Sequence, residues 1–152
     1  MIESNKRELL SRQMTLVQII LPLVIACIAI FTFYIQFNGA DSPGGAFQSG
    51  IILASAIIAH DLVFSIATKN KSHQTLSSSK AKFFSTIGFL IYATTGLLPV
   101  FYGHNIFDYT AFHEQAHIAN HYGLLGIETG VACTVFGSVV FIFNTFKKET
   151  NF

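Results

Sequence analysis

The sequence predicts an all-α integral membrane protein: a bundle of four transmembrane helices with both termini on the cytoplasmic side. Three observations lead there. The 152-residue chain is 51% hydrophobic and only 11% charged, against about 25% charged residues in an average soluble domain. Its apolar residues gather in four runs, and about 20 such residues suffice for a helix to cross a bilayer. All nine Lys and Arg fall outside those runs, in positions that four crossings bring to one side.

The elements follow in order. Residues 1–13 form a polar segment with Lys6, Arg7 and Arg12, and the first span, 14–37, holds no charge. Asn38–Ser42 is a turn short enough to force an antiparallel hairpin. Asp41 and Ser42 suit a helix N-cap, and Pro43 suits the first helical position. Gly44 and Gly45 allow another backbone to come close. The second span, 43–68, carries His60 and Asp61 near its far end. A Ser/Thr-rich connection follows with Lys69, Lys71, Lys80 and Lys82, and then an uncharged third span, 83–103. His104–His121 reads as a polar loop with Asp108, Glu114 and four histidines. The fourth span, 122–146, is interrupted only by Glu128, and the tail 147–152 opens with Lys147 and Lys148.

Charge fixes the orientation. The N-terminus, the middle connection and the tail hold three, four and two basic residues, and the two opposite loops hold none. The positive-inside rule makes the basic side cytoplasmic. A water-soluble bundle does not fit four runs of this length and apolarity. The net charge of +1 offers nothing to a nucleic acid. Cys27 and Cys133 lie in apolar runs and read as small buried hydrophobes without a disulfide.

Glu128 is the sharpest single residue. It lies six residues into the fourth span, roughly 9 Å below the outer end at 1.5 Å per residue. An ionisable group at that depth faces the bundle interior, a water path or a partner chain. It reads either as a proton-exchanging group or as a structural hydrogen-bonding one. By the same depth measure Gln48 and Thr95 lie level with it, so the three are expected to form a polar layer and a candidate ion or proton path. His60 and Asp61 read as an interfacial anchor or as the other mouth of such a path, with Gln18 at similar depth. Small residues recur at four-residue spacing, as Ala46, Gly50 and Ala54 and as Gly126, Gly130 and Thr134. Such columns bring membrane helices close together.

His113-Glu114-Gln115-Ala116-His117 matches the zinc-protease pattern HExxH. A catalytic zinc takes three protein ligands and a water. His121 continues the spacing, but residues at i, i+4 and i+8 of a straight helix span too far for one ion. The match reads as a decoy, and no metal is expected.

Three segments carry a resemblance. They are Asn38–Gly50, with Pro43-Gly44-Gly45-Ala46-Phe47 at its heart; Gly96-Leu97-Leu98-Pro99; and His121–Val131, with Glu128 ahead of Gly130-Val131. Together with the four-helix layout, they make the chain resemble the MnhB-domain family, the MnhB-type components of the multisubunit cation/proton antiporters of the Mrp (Mnh) type. Ala46 stands where the family has a third glycine. The resemblance implies a multi-pass subunit of the bacterial cytoplasmic membrane, without cofactor and without enzymatic activity. Its partners would be the bilayer, Na+ and H+, and the other subunits of a hetero-oligomeric antiporter, beside which it lines or braces an ion path. The alternative is an equivalent ion-translocating or scaffold subunit of a membrane-bound hydrogenase or formate-linked complex. In this light Pro43, Gly44, Gly45, Phe47, Gly50, Gly126 and Gly130 are the expected signature and packing residues.

Overall fold

The computed structural model describes residues 2–39, 45–68, 74–112 and 116–149. Among these, four α-helices account for most of the chain: α1 (Ile2–Phe37), α2 (Ala46–Thr68), α3 (Ser78–Leu97) and α4 (Ala116–Glu149). Two short 3-10 turns, Leu98–Tyr102 and Tyr109–Phe112, lie between α3 and α4. Each helix contains a stretch long and apolar enough to cross a membrane.

Local chemistry explains the boundaries. Gly45 opens α2 at φ +134°, a conformation that L side chains rarely adopt. A Cβ on Gly39 would stand 2.8 Å from Gly45 Cα, so the two ends of the α1–α2 turn touch backbone to backbone. Pro43 and Gly44, central to the expected signature, lie outside the described residues. Pro99 lacks an N–H and ends α3 in a 3-10 turn, which Gly103 closes at φ +79°. The stretch read as a loop up to His121 already belongs to α4 from Ala116 onward. At 34 residues, α4 is about 51 Å long, well beyond a hydrocarbon core of about 30 Å.

The helices do not meet equally. α4 packs most closely on α3, then on α2, while α1 rests mainly on α2. Among the described residues no Cα of α3 comes within 8 Å of one in α1 or α2. In cross-section the order is therefore α3, α4, α2, α1. Contacts between α2 and α4 ascend together: Gly50 meets Ala132 and Val135, Ala54 clusters with Val140, and Ser65 meets Lys147. The two central helices are thus parallel, each with its hairpin partner on the flank.

Glycine makes the α3–α4 contact. A Cβ on Gly130 would stand 2.6 Å from the Tyr92 nitrogen, and one on Gly137 would collide with the Ser85 nitrogen. The expected columns sit at these seams: Ala46, Gly50 and Ala54 are buried, and Gly126 and Gly130 face α3. Cys27 corrects the reading of both cysteines as buried, because it is exposed on α1. α1 turns most of its apolar side chains outward, Ile20, Leu23 and Phe31 among them. In a membrane helix, apolar means compatible with lipid as much as buried in protein.

Candidate functional site: polar groups within the bundle

One group of buried polar side chains lies at the end of the bundle that carries the basic residues. Asp61 on α2 is fully buried. Its Oδ1 accepts a 2.6 Å hydrogen bond from the Thr75 N–H in the connection to α3. Next to it, His60 Nδ1 lies 2.8 Å from Thr75 Oγ1, and its ring stacks on Phe64 at 4.3 Å. From α4, Asn144 Nδ2 donates to the Leu76 carbonyl at 2.8 Å. One turn further on, Lys147 Nζ donates to Ser65 Oγ at 2.6 Å. Ser65 is itself one turn beyond Asp61, so an acid and an amine, both buried, share one layer between two parallel helices. Together these groups grip Thr75 and Leu76 and tie the central connection to both inner helices. Asp61 is thus enclosed by protein and holds the α2–α3 connection.

Asn144 and Lys147 were not legible as parts of this cluster. The first looks like an isolated polar residue in an apolar run, and the second like the start of a tail. Their signal is the pairing of two spacings, Asp61–Ser65 at i, i+4 and Asn144–Lys147 at i, i+3, which gives each helix one polar face.

The outer-third groups are distributed differently. Thr95 returns its hydroxyl to the Ile91 carbonyl at 2.7 Å, and its methyl packs where a Cβ on Gly126 would stand 2.8 Å away. Glu128 is two residues beyond Gly126, about 200° around the helix. It therefore points away from α3 and Thr95, and it is half-buried. Gln48 is exposed on α2. The three residues share no hydrogen bond among the described residues. Equal depth did not make them a layer, because they lie at different angles around their helices.

The polar pair that does form at this level was not anticipated. Ser49, beside Gln48, and Gln36 on α1 are both buried and hydrogen-bonded to each other. The Ser49 hydroxyl has one proton for two acceptors, Gln36 Oε1 and the Ala46 carbonyl 2.9 Å away. Gln36 Nε2 has no acceptor among the described residues. Turning the amide over lets Ser49 donate to Ala46 and accept from Gln36, which resolves the conflict. The pair borders a cleft of about 350 Å³ floored by α2 and α4 and flanked by α1 and α3, with Leu53, Phe84, Ala132 and Phe136 in its walls.

The far end is closed by the α3–α4 connection. Phe107, at φ +64°, places its ring where a Cβ on Gly96 would be 2.7 Å away. Tyr109 covers Gly123 in the same manner. Asp108 Oδ1 accepts from the Thr110 hydroxyl at 2.5 Å and the Thr110 N–H at 3.2 Å, and Oδ2 lies 3.2 Å from His104 Nδ1. The Thr110 hydroxyl, and then His104, hold the Asp108 carboxyl below its ordinary range. His113 and Glu114 of the HExxH match lie outside the described residues, and His117 is exposed on the first turns of α4. No group of three metal-ligating side chains comes together among the described residues.

Four membrane-length helices, glycine-lined seams and a few buried polar groups define a multi-pass α-helical membrane protein. Comparison with known proteins narrows the class. The family described as "Domain related to MnhB subunit of Na+/H+ antiporter" matches residues 16–141, and the chain belongs to it. A candidate antiporter subunit mnhB2 from Staphylococcus haemolyticus is 32% identical over 131 residues, covering 79% of this chain and 84% of that one. Its counterpart from Staphylococcus epidermidis is 29% identical over 123 residues, covering 78% and 83%. The one from Staphylococcus aureus strain Newman is 34% identical over 83 residues, covering 53% and 55%. No solved structure matches the chain.

Proposed function

We propose that this protein is a membrane subunit of a multisubunit Na+/H+ antiporter, seated beside larger antiporter-like subunits with both termini in the cytoplasm. The observation that carries this reading is membership of the MnhB family across residues 16–141, on a chain whose four helices can each cross a membrane. The partners are the other subunits, the bilayer, Na+ and H+. Transport rather than catalysis is the role.

Within that role, Glu128 is the residue we assign to ion or proton handling. It is ionisable, lies within the fourth span and stands on the side of α4 away from α3, on the same stripe as Ala132 and Val135, which meet α2. Gln48, exposed on α2, borders the same outer third, while Thr95 braces the α3–α4 seam. Asp61 and His60 stand at the opposite end, where a proton would enter or leave the bilayer.

The test is Glu128→Gln in the intact complex, with cation-driven proton flux measured in everted vesicles. Flux per assembled complex is expected to fall several-fold while assembly stays normal. Unchanged flux at normal assembly would reduce the chain to a scaffold and remove Glu128 from the path.

A further inference from the structure

We propose that a groove between α3 and α4, at the basic end of the bundle, binds the headgroup of an anionic phospholipid. The groove encloses about 390 Å³ and is lined by Lys82, Ser85 and Thr86 of α3 and by Ser138, Phe141 and Ile142 of α4. It lies apart from Glu128, from the Asp61 cluster and from the cleft beside Gln36.

The hydroxyls are the first argument. Six hydroxyls in these helices turn back onto their own backbone: Thr32, Ser55, Thr95, Thr129, Thr134 and Thr145 each donate to the carbonyl four residues earlier. That arrangement hides the donor from lipid. Ser85 and Ser138 break the habit and bond across the groove to each other at 2.8 Å. Two hydroxyls hold two protons, and the bond between them uses one. The other remains to be donated within the groove. Thr86 makes no hydrogen bond to the described residues, so a second donor is available beside it.

The cation is the second argument. Lys82 is exposed and pairs with no carboxylate among the described residues. Its Nζ stands 4.8 Å from the centroid of the Phe141 ring, held over the groove rather than free in solvent. Ser85 and Thr86 are three and four residues beyond Lys82, so roughly 4.5–6 Å deeper along the helix. The groove thus presents a fixed positive charge at phosphate level, with Phe141 and Ile142 as the apolar wall beside it, and hydroxyl donors deeper, at the level of the glycerol esters. Basic pockets between membrane helices take anionic headgroups on this principle. A zwitterionic lipid meets the same hydroxyls but brings its own ammonium toward Lys82.

The experiment uses the whole complex in phosphatidylcholine proteoliposomes. These are doped at equal mole fraction with a photoactivatable phosphatidylglycerol or a photoactivatable phosphatidylcholine. Crosslinks are mapped by mass spectrometry. The phosphatidylglycerol probe is expected to label peptides spanning residues 82–86 and 138–142 several-fold more than the phosphatidylcholine probe. Lys82→Gln should bring that ratio close to one, and Lys82→Arg should keep it. Equal labelling by both lipids in the unaltered protein overturns the proposal. So does the absence of label from the groove, which would show that another chain of the complex covers it.

Discussion

At the scale of single residues, this bundle is most sensitive where helices approach backbone to backbone. Replacing Gly130 by alanine places a methyl 2.6 Å from the Tyr92 nitrogen and 2.9 Å from the Gly88 carbonyl oxygen. Neither is a flexible side chain, so α3 and α4 must separate. A cost of about 1–3 kcal/mol is expected, as for other overpacked contacts, read as a lower unfolding temperature in detergent. Gly45→Ala, by contrast, meets no atom of the described residues within 4 Å and is strained by its positive φ. Single residues also show where sequence reading succeeds. Gly126 and Gly130 were legible as packing residues, because four-residue spacing of small side chains has one geometric meaning. Glu128 and Asp61 stand out because a charge in an apolar run is conspicuous, but the sequence does not show that Asp61 is buried in a polar cluster. Gln36 and Ser49 were not legible. Neutral polar residues are common in such runs, and only the fold shows which of them face each other.

At the scale of elements, the decisive piece is the connection between α2 and α3. Its Thr75 and Leu76 are held from both central helices, by Asp61 on one and by Asn144 on the other. Asn144→Ala removes the donor and leaves the Leu76 carbonyl unsatisfied. A loss of about 1–3 kcal/mol is expected, together with faster amide exchange at Thr75 and Leu76 and unchanged exchange in the Tyr109–Phe112 turn. Slowed or unaltered exchange at those two residues would show that Asp61 alone holds the connection. The four helices themselves were legible from hydropathy and charge. Their mutual arrangement was not, because helices whose faces are apolar all round carry no pattern that says which side meets protein and which meets lipid. For that reason Cys27 reads as buried in the sequence and lies exposed in the fold, and Gln48, Thr95 and Glu128 share a depth without sharing a site.

At the scale of the whole molecule, the chain is two hairpins laid side by side, with α2 and α4 in the middle. The distribution of basic residues, nine to none, predicts that both chain ends face the cytoplasm. A fluorescent protein fused after Phe152 should therefore fluoresce, and alkaline phosphatase fused at the same point should be inactive. The opposite pair of results would invert every assignment of inner and outer ends. The arrangement also explains why a small chain presents several distinct faces. The cleft opens between α1 and α3, and α1 turns most of its apolar side chains outward. Such a bundle has room for more than one neighbour.

The parallel pairing of α2 with α4 has a consequence for biogenesis. A ribosome delivers α1 and α2 first, yet the surface that closes over the Ala46, Gly50 and Ala54 column belongs to the last helix made. The first hairpin must enter the membrane with that column facing lipid. Asp61 must wait near the interface, still hydrated, until Asn144 and Lys147 arrive beside its helix. Translation therefore runs from the loosest part of the molecule to the tightest, and the fold is locked from its C-terminal end.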